Sequence, residues 1–149
     1  MTKNKGCEAL TRRTIAYCGR PLGIRRRNEK QFIVADAVLG ILAIDFERNN
    51  KIQNFYGRTQ VLVDGLDFPN GVQMHTDKQS FLFCESATAK IYRFYFAGPK
   101  KGRLEIFLDN LPGFPDNIRI QVLGLLFMWQ CSVIEMLQIR TFFKGSVIG

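Results

Sequence analysis

The sequence has little of what transition-metal sites require. Its single histidine is His75, and its four cysteines, Cys7, Cys18, Cys84 and Cys131, form no CxxC pair. Structural zinc sites take four closely spaced cysteine and histidine ligands, so a transition-metal centre is not expected. The first twenty residues contain no apolar run, which predicts no signal peptide, and no Asn-x-Ser/Thr sequon points to glycosylation.

Excess positive charge is confined to one region. The formal net charge is +8, yet residues 31–149 contain twelve Lys and Arg against eleven acidic residues, while residues 1–30 contain nine against two. The excess is a basic N-terminal segment, densest at Arg25–Arg27, which we interpret as a solvated loop. Nucleic-acid binding would need basic residues interleaved with aromatic ones on one face, or a recognisable reading motif. Neither is visible, so no nucleic-acid partner is expected.

A short motif recurs at a regular interval. DFPNGV occupies residues 67–72 and GFPDNI occupies residues 113–118, and RPLGI at 20–24 is a weaker third copy. The prolines Pro21, Pro69 and Pro115 lie 48 and 46 residues apart. The segments that follow each proline also correspond to one another: KQFIVADA (30–37) to KQSFLFCES (78–86), GILAIDF (40–46) to KIYRFYF (90–96), and VLVDGL (61–66) to IFLDNL (106–111).

Each repeat consists of short runs rich in Val, Ile, Phe and Tyr, broken by Gly, Asn, Asp or charged residues. Such runs predict consecutive antiparallel strands, and residues 20–120 show no helical periodicity. Three or four strands recurring every 40–50 residues are typical of a β-propeller. An all-β sandwich is the alternative, although nothing in a sandwich requires this interval. The chain supplies about two blades and the start of a third, too few to close a ring of roughly four to eight blades.

The motifs resemble those of the strictosidine synthase-like family, most closely its adipocyte plasma membrane-associated type. The similarity covers about two-thirds of the chain, and its last segment is highly specific. The matching segments are CGRPLGIR (18–25), FIVADAVLGILAID (32–45), VLVDGLDFPNGVQ (61–73), AKIYRFYFAGPKKG (89–102) and FLDNLPGFPDNIR (107–119). The resemblance implies a six-bladed propeller and calcium-dependent hydrolysis of the arylesterase or lactonase type, with a small ester or lactone as substrate.

The resemblance also implies a role for the residues after each Phe-Pro. Asn70, Asp116 and Asn117 correspond to residues that hold calcium at the mouth of the propeller channel. Amide and carboxylate oxygens are ligands that Ca²⁺ accepts, in sets of six to eight, and the ion would polarise an ester or lactone carbonyl. The alternative is that these residues only form turns, since Asn-Gly after Pro and Asp-Asn are common turn sequences.

The chain departs from the family pattern in ways that leave the calcium cage incomplete. Only fifteen residues separate Asp45 from Val61, where the family has another blade carrying an Asn-Asp-Leu motif. The family's upstream glutamate has no counterpart, since Glu8 is the only acid before Cys18. We therefore expect weak calcium binding or none, and a chain without activity. The alternative function is a non-catalytic product that associates with membranes or with partners.

The C-terminal residues leave the propeller pattern after Ile120. Residues 121–139 are apolar apart from one charge, Glu135, and approach the length of a membrane span, although an acid within a span is costly. The segment could instead pack on the open face of the partial propeller. Localisation stays undetermined, because the family implies a membrane or the secretory pathway while no signal peptide is predicted.

Three further residues complete the sequence-based expectations. His75 follows a predicted strand, and we expect a solvent-facing side chain rather than a catalytic one. The family resemblance allows Cys7 and Cys18 to pair, and Cys84 lies within a strand run that predicts a buried free thiol.

The whole chain is thus expected to be all-β, with a basic, poorly ordered segment at 1–17, a partial six-bladed propeller at 18–120 and an apolar tail at 121–149, for which a helix is considered. Exposed blade edges would allow several copies to assemble.

Overall fold

The computed structural model describes residues 7, 11, 14–48, 55–121 and 124–129. It contains one short helix and ten strands: α1 (Ile15–Cys18), β1 (Pro21–Arg26), β2 (Gln31–Asp36), β3 (Gly40–Arg48), β4 (Phe55–Val63), β5 (Pro69–Met74), β6 (Ser80–Glu85), β7 (Lys90–Tyr95), β8 (Leu104–Leu108), β9 (Pro115–Gln121) and β10 (Gly124–Trp129). The prediction of an all-β chain is confirmed.

The strands form consecutive antiparallel units, as in a propeller. One four-stranded sheet has the order β1-β2-β3-β4 and a second has the order β5-β6-β7-β8. We call these blade A and blade B. A two-stranded sheet of β9 and β10 begins a third unit. The architecture is therefore the predicted partial propeller.

Strand ends are set by side-chain caps and by residues in left-handed conformations. The Asn28 side chain accepts hydrogen bonds from the amides of residues 30 and 31 ahead of β2, and Asp77 does the same for residues 79 and 80 ahead of β6. Such caps favour tight turns. The segments VLVDGL and IFLDNL leave the sheet after Val63 and Leu108, and the chain then turns at Gly65 and Asn110, which adopt positive φ angles of 66° and 51°.

The core lies between the blades. One apolar cluster joins Ile33, Ala35, Ile41 and Ala43 of blade A to Val72, Phe81, Phe83 and Phe94 of blade B. A second cluster joins Leu82, Cys84 and Ile91 of blade B to Ile118 of β9. Each blade is therefore stabilised mainly by burial of apolar surface against its neighbour.

Within blade A, β3 pairs directly with β4. The register runs from Ile41 opposite Val63 to Arg48 opposite Phe55. The short connection that the sequence shows between Asp45 and Val61 therefore leaves blade A with the full set of four strands.

The first described residues of the C-terminal region form a strand, although a helix was considered for them. A helix was considered for residues 121–149, but Gly124–Trp129 forms β10, paired with β9. The proline-led strand β9 provides an unpaired edge that a second strand completes by backbone hydrogen bonding. Residues 130–149, and with them most of the proposed membrane segment, lie outside the described residues. No helix in the described part of the chain is long and apolar enough to cross a membrane.

The N-terminal region is attached to blade A by a covalent bond. Cys7 and Cys18 form a disulfide, as the resemblance allowed, and Cys18 ends helix α1 immediately before the strands begin. The other residues of the 1–17 segment, except Thr11 and residues 14–17, lie outside the described residues.

Candidate metal site

The three expected metal ligands come from adjacent strands. Asn70 is the second residue of β5, and Asp116 and Asn117 are the second and third residues of β9. In each strand they directly follow the proline of the repeated motif. The proline lacks an N–H and fixes φ, so it suits the first residue of an edge strand. Both strands therefore begin at corresponding points, and their leading residues lie at the same end of the sheets.

A glycine brings the two strands together. A Cβ atom on Gly71 would lie 2.5 Å from the carbonyl oxygen of Asp116 and 2.8 Å from the Cα atom of Asn117. Gly23 makes the same kind of contact in β1, where a Cβ would lie 2.3 Å from the carbonyl oxygen of Asn70. Only glycine permits such backbone contact. The inner strands β1, β5 and β9 therefore lie side by side, and the residues after the prolines are neighbours.

The loops that lead into these strands are held in place by residues at the end of β6. The Ser86 hydroxyl donates a hydrogen bond to the carbonyl oxygen of Pro115 at 2.5 Å, and the Ser86 amide donates to the carbonyl of Phe68 at 3.1 Å. The buried Glu85 carboxylate accepts a hydrogen bond of 2.9 Å from the amide of Asp67. Ser86 thus fixes the two site strands relative to each other.

Phe68, the residue before Pro69, has a strained backbone. Its φ angle is +61°, although a residue before proline normally adopts an extended conformation with negative φ. The guanidinium group of Arg20 lies 5.7 Å from the centre of the Phe68 ring. Strain of this kind persists where surrounding contacts enforce it and is common at functional sites. It sets the direction in which the chain enters β5 at Asn70.

The side chains of Asn70, Asp116 and Asn117 are half-buried. Among the described residues, none of the three makes a side-chain hydrogen bond or an ion pair. Half-buried polar groups usually have partners. Their oxygen atoms are therefore free to bind a ligand, and the donor set suits a hard cation such as Ca²⁺.

Cys84 lies directly beneath the site. Burial, the nearby Asp116 carboxylate and a hydrogen bond to the Gly71 backbone act on the thiol together, and the first two dominate and raise its pKa to about 12. The thiol therefore stays protonated at neutral pH and is a poor nucleophile. The sequence predicted a buried free thiol here, which is confirmed. Its position next to Asp116 was missed, because it depends on the packing of β6 against β9.

Among the described residues of blade A, the position that corresponds to Asn70 and Asp116 has no oxygen-bearing side chain. The residue after Pro21 is Leu22, in the position that Asn70 and Asp116 occupy in the next two units, and its side chain is exposed. Within the described residues there is also no group of three or more His, Cys, Asp or Glu side chains that could hold a metal. The three candidate ligands therefore lie on two neighbouring strands, β5 and β9, and include a single carboxylate.

His75 lies at the opposite end of β5 from Asn70 and takes no part in the site. It follows β5, as predicted, but the solvent-facing side chain expected there is only 23% exposed. Its Nδ1 atom lies 3.3 Å from an Asp77 carboxylate oxygen and 3.3 Å from an Arg93 nitrogen. Arg93 also donates hydrogen bonds to Asp77 at 2.6 Å and to the Ser80 hydroxyl at 2.9 Å. This polar cluster ties the turn before β6 to β7.

The hydrogen bonds in that cluster alter the ionisation of Asp77. Partial burial raises the pKa of Asp77, but the Gln79 amide, the Ser80 hydroxyl, Arg93 and the charge of His75 together lower it well below its ordinary value. Asp77 is therefore ionised over the physiological range and stabilises the turn.

Comparison with known proteins identifies relatives of this arrangement. A family model described as strictosidine synthase matches residues 45–99, from β3 to the turn between β7 and β8. A strictosidine synthase-like protein (number 13) of Arabidopsis thaliana is 29% identical in an alignment 163 residues long, which covers 72% of this chain and 40% of that protein.

The adipocyte plasma membrane-associated proteins of Danio rerio and Rattus norvegicus are also similar. The first is 34% identical over 94 residues, covering 63% of this chain and 21% of the relative. The second is 50% identical over 60 residues, covering 40% of this chain and 16% of the relative. The chain thus spans less than half the length of the curated relatives that it matches.

Proposed function

Because this chain belongs to the strictosidine synthase-like family, we propose that it is one sector of a calcium-dependent hydrolase of the arylesterase or lactonase type. In this proposal the sector contributes Asn70, Asp116 and Asn117 to the metal. The observation that carries it is the presence of three half-buried oxygen-bearing side chains, without other described partners, at the leading ends of two adjacent inner strands.

The arrangement suits calcium in its chemistry and in its rigidity. The donors are two amides and one carboxylate, all hard oxygen ligands. Bound calcium would act as a Lewis acid toward an ester or lactone carbonyl. The protein's part is to hold the donors in place, through the Gly71 contact and the Ser86 hydrogen bond to Pro115. Substrate-orienting groups would come from loops at the same end of the strands.

We further propose that the chain alone does not turn over substrate. Three side chains fall short of the six to eight oxygen ligands that Ca²⁺ takes in proteins, and Leu22 offers none from blade A. The alignment with the Arabidopsis relative is 163 residues long, yet it covers only 72% of this 149-residue chain. The relative therefore has residues within the matched region that have no counterpart here, and these could complete a cage.

Calcium titration by calorimetry on the full chain tests the proposal. We expect saturable but weak binding, with a Kd on the order of 10⁻⁴ to 10⁻³ M, as for calcium sites with few charged ligands. Asp116→Ala should abolish it and Asn70→Ala should weaken it at least fivefold. Asp64→Ala is the matched control, since Asp64 is an exposed carboxylate in the turn after β4, and this variant should bind as the wild type does.

Two outcomes would overturn the metal assignment: no saturable heat from folded wild-type protein, or equal losses in Asp116→Ala and Asp64→Ala. Hydrolysis of phenyl acetate and of a γ-lactone, measured with saturating calcium, tests the second part. Turnover that disappears in Asp116→Ala would show that the chain alone is active, contrary to our expectation.

A second, non-catalytic function is favoured by the apolar outer flank of blade A. Ile24 of β1 is 55% exposed, while the residues at the same position of the next two inner strands, Val72 and Ile118, are 1% and 0% exposed. Another copy of this chain could cover the flank with the free side of its third unit. Sedimentation equilibrium should then show self-association that Ile24→Glu abolishes. A monomer at all concentrations would reject this role and leave membrane association through residues 121–139 to be tested by vesicle flotation.

A further inference from the structure

Two arginines occupy the same position in two inner strands, with a glutamine between them. Arg25, Gln73 and Arg119 each lie four residues after the proline of β1, β5 and β9, respectively. Because these strands lie side by side in the same orientation, the three residues form one row across the inner wall. The row lies three residues further along the strands than Asn70 and Asp116, and Arg119 lies two residues beyond Asn117.

The row is in contact across the blades. The Nε atom of Arg25 donates a hydrogen bond of 2.9 Å to Oε1 of Gln73. Each arginine also donates from Nη1 to the carbonyl oxygen of its preceding residue, at 2.6 Å for Ile24 and 2.8 Å for Ile118. The two guanidinium groups are therefore anchored in the same way on β1 and β9, on either side of Gln73.

Among the described residues, no acidic side chain forms an ion pair with the arginines of the row, Arg25 and Arg119. Arg25 and Arg119 lie on the strands on either side of Gln73, and burial and the nearby charge of Arg119 both lower the pKa of Arg25. Arginine remains protonated in proteins, so their repulsion persists unless an anion binds.

Most of the donors in the row are also unused. A guanidinium group has five N–H donors, and the described hydrogen bonds use two on Arg25 and one on Arg119. Arginine binds phosphate and carboxylate groups through paired, charge-assisted hydrogen bonds. Two fixed guanidinium groups that repel each other favour an anion with two negative charges and several acceptor oxygens over a monovalent one.

We propose that Arg25 and Arg119, aligned by Gln73, form a binding site for a dianionic oxyanion such as phosphate or sulfate on the inner wall of the partial propeller. The bound oxyanion would join β1 to β9 across β5. This inference does not depend on calcium or on hydrolytic activity.

The test is calorimetric titration of the full chain with inorganic phosphate, at constant ionic strength set by chloride. EDTA is present throughout, so that phosphate held by a calcium ion is not counted. We expect saturable binding that sulfate competes away and acetate does not. Arg25→Gln and Arg119→Gln should each weaken phosphate binding at least tenfold. Arg58→Gln is the matched control, since Arg58 is an exposed arginine on the outer strand β4, and it should bind as the wild type does.

Arg25→Lys separates charge from geometry and guards against a folding defect. Lysine keeps the positive charge but lacks the planar guanidinium group that forms paired hydrogen bonds, so an intermediate affinity supports the site. Circular dichroism checks that each variant is folded. The proposal is overturned if folded wild-type protein shows no saturable phosphate binding, if acetate competes as well as sulfate does, or if Arg58→Gln weakens binding as much as the inner-strand variants do.

Discussion

Blades A and B have the same strand order but different surroundings. Blade B lies between blade A and β9, and both of its faces are covered by apolar clusters. Blade A has a neighbour on one side within the described residues. The contrast is clearest at one position of the inner strand, where Ile118 is fully buried and Ile24 is largely exposed. The same residue type at the same register position thus has an environment set by the adjacent unit.

This difference shows that the apolar residues of the inner strands serve contacts between blades more than contacts within a single blade. The outer flank of blade A keeps apolar residues at the positions that pack in blade B, although nothing described covers Ile24. Solenoid and propeller repeats derive much of their stability from such interfaces. The following variants measure how unequal the two environments are.

The largest expected effect comes from the matched isoleucines. Ile118→Ala should lower the free energy of unfolding by about 3 kcal/mol, because it leaves a cavity between β9 and blade B. Ile24→Ala should cost less than about 1 kcal/mol, since its side chain is mostly in water already. Urea unfolding of both variants gives the two values. Equal losses would mean that the flank of blade A is covered in solution.

The next largest expected effect is the loss of stability when a methyl group is added at the contacts between inner strands. Gly71→Ala and Gly23→Ala should each lower the free energy of unfolding by about 2 kcal/mol, because the new methyl group meets backbone that cannot move aside. Gly71→Ala displaces Asp116 and Asn117 from β5, so it should abolish calcium binding, as calorimetry would show. Gly23→Ala meets the Asn70 backbone but leaves the contact between β5 and β9 in place, so it should weaken binding without abolishing it. Unchanged binding in Gly71→Ala would argue against a site held by the contact between β5 and β9.

The disulfide between Cys7 and Cys18, just ahead of blade A, should stabilise the folded chain. Replacing Cys7 and Cys18 together by serine should cost about 2 kcal/mol, since the cross-link closes a short loop and restricts the unfolded chain. Thermal unfolding of the variant and of the wild type under reducing conditions should coincide. If reduction still lowered the Tm of the double variant, another disulfide would be responsible.

The smallest expected effect is a loss of stability that depends on pH in blade B and does not depend on pH in blade A. Asp77 has a lowered pKa in the folded chain, so its contribution is fully present above its unfolded pKa of about 3.9 and is lost as the pH falls below that value. At pH 6, Asp77→Asn should cost about 1 kcal/mol, and the difference from the wild type should shrink on acidification. In blade A the corresponding cap is the amide of Asn28, and Asn28→Ala should show a loss that does not depend on pH. Urea unfolding at pH 3 to 7 provides the measurement.

The sequence was sufficient to predict the strands and the repetition of the strand pattern. The period of the prolines and the runs of β-branched and aromatic residues are local signals, and the structure follows them closely. The pairing of Cys7 with Cys18 also agreed with the family resemblance. The strand β10 was missed because GLLFMW is apolar without alternation, a pattern that suits a buried helix as well as a strand.

The surroundings of the site were harder to predict from sequence. Gln73, Arg93 and Cys84 act through contacts between strands or between blades, and sequence spacing within one repeat does not reveal such contacts. His75 illustrates this point: its turn was predicted, but its partner Arg93 is eighteen residues away on β7. The proximity of Asp116 to Cys84 likewise follows from the packing of one unit on the next.

The direct pairing of β3 with β4 also bears on how such chains can change in length. A segment equal to one repeat, inserted between these strands, would leave blades A and B with four strands each, because the outermost strand of one unit can replace that of another. A segment that added only one strand would leave a strand without a partner. Variation by whole repeats at residues 49–54 is therefore neutral for the sheets, while the number of units around the axis, and with it the set of metal ligands, changes in discrete steps.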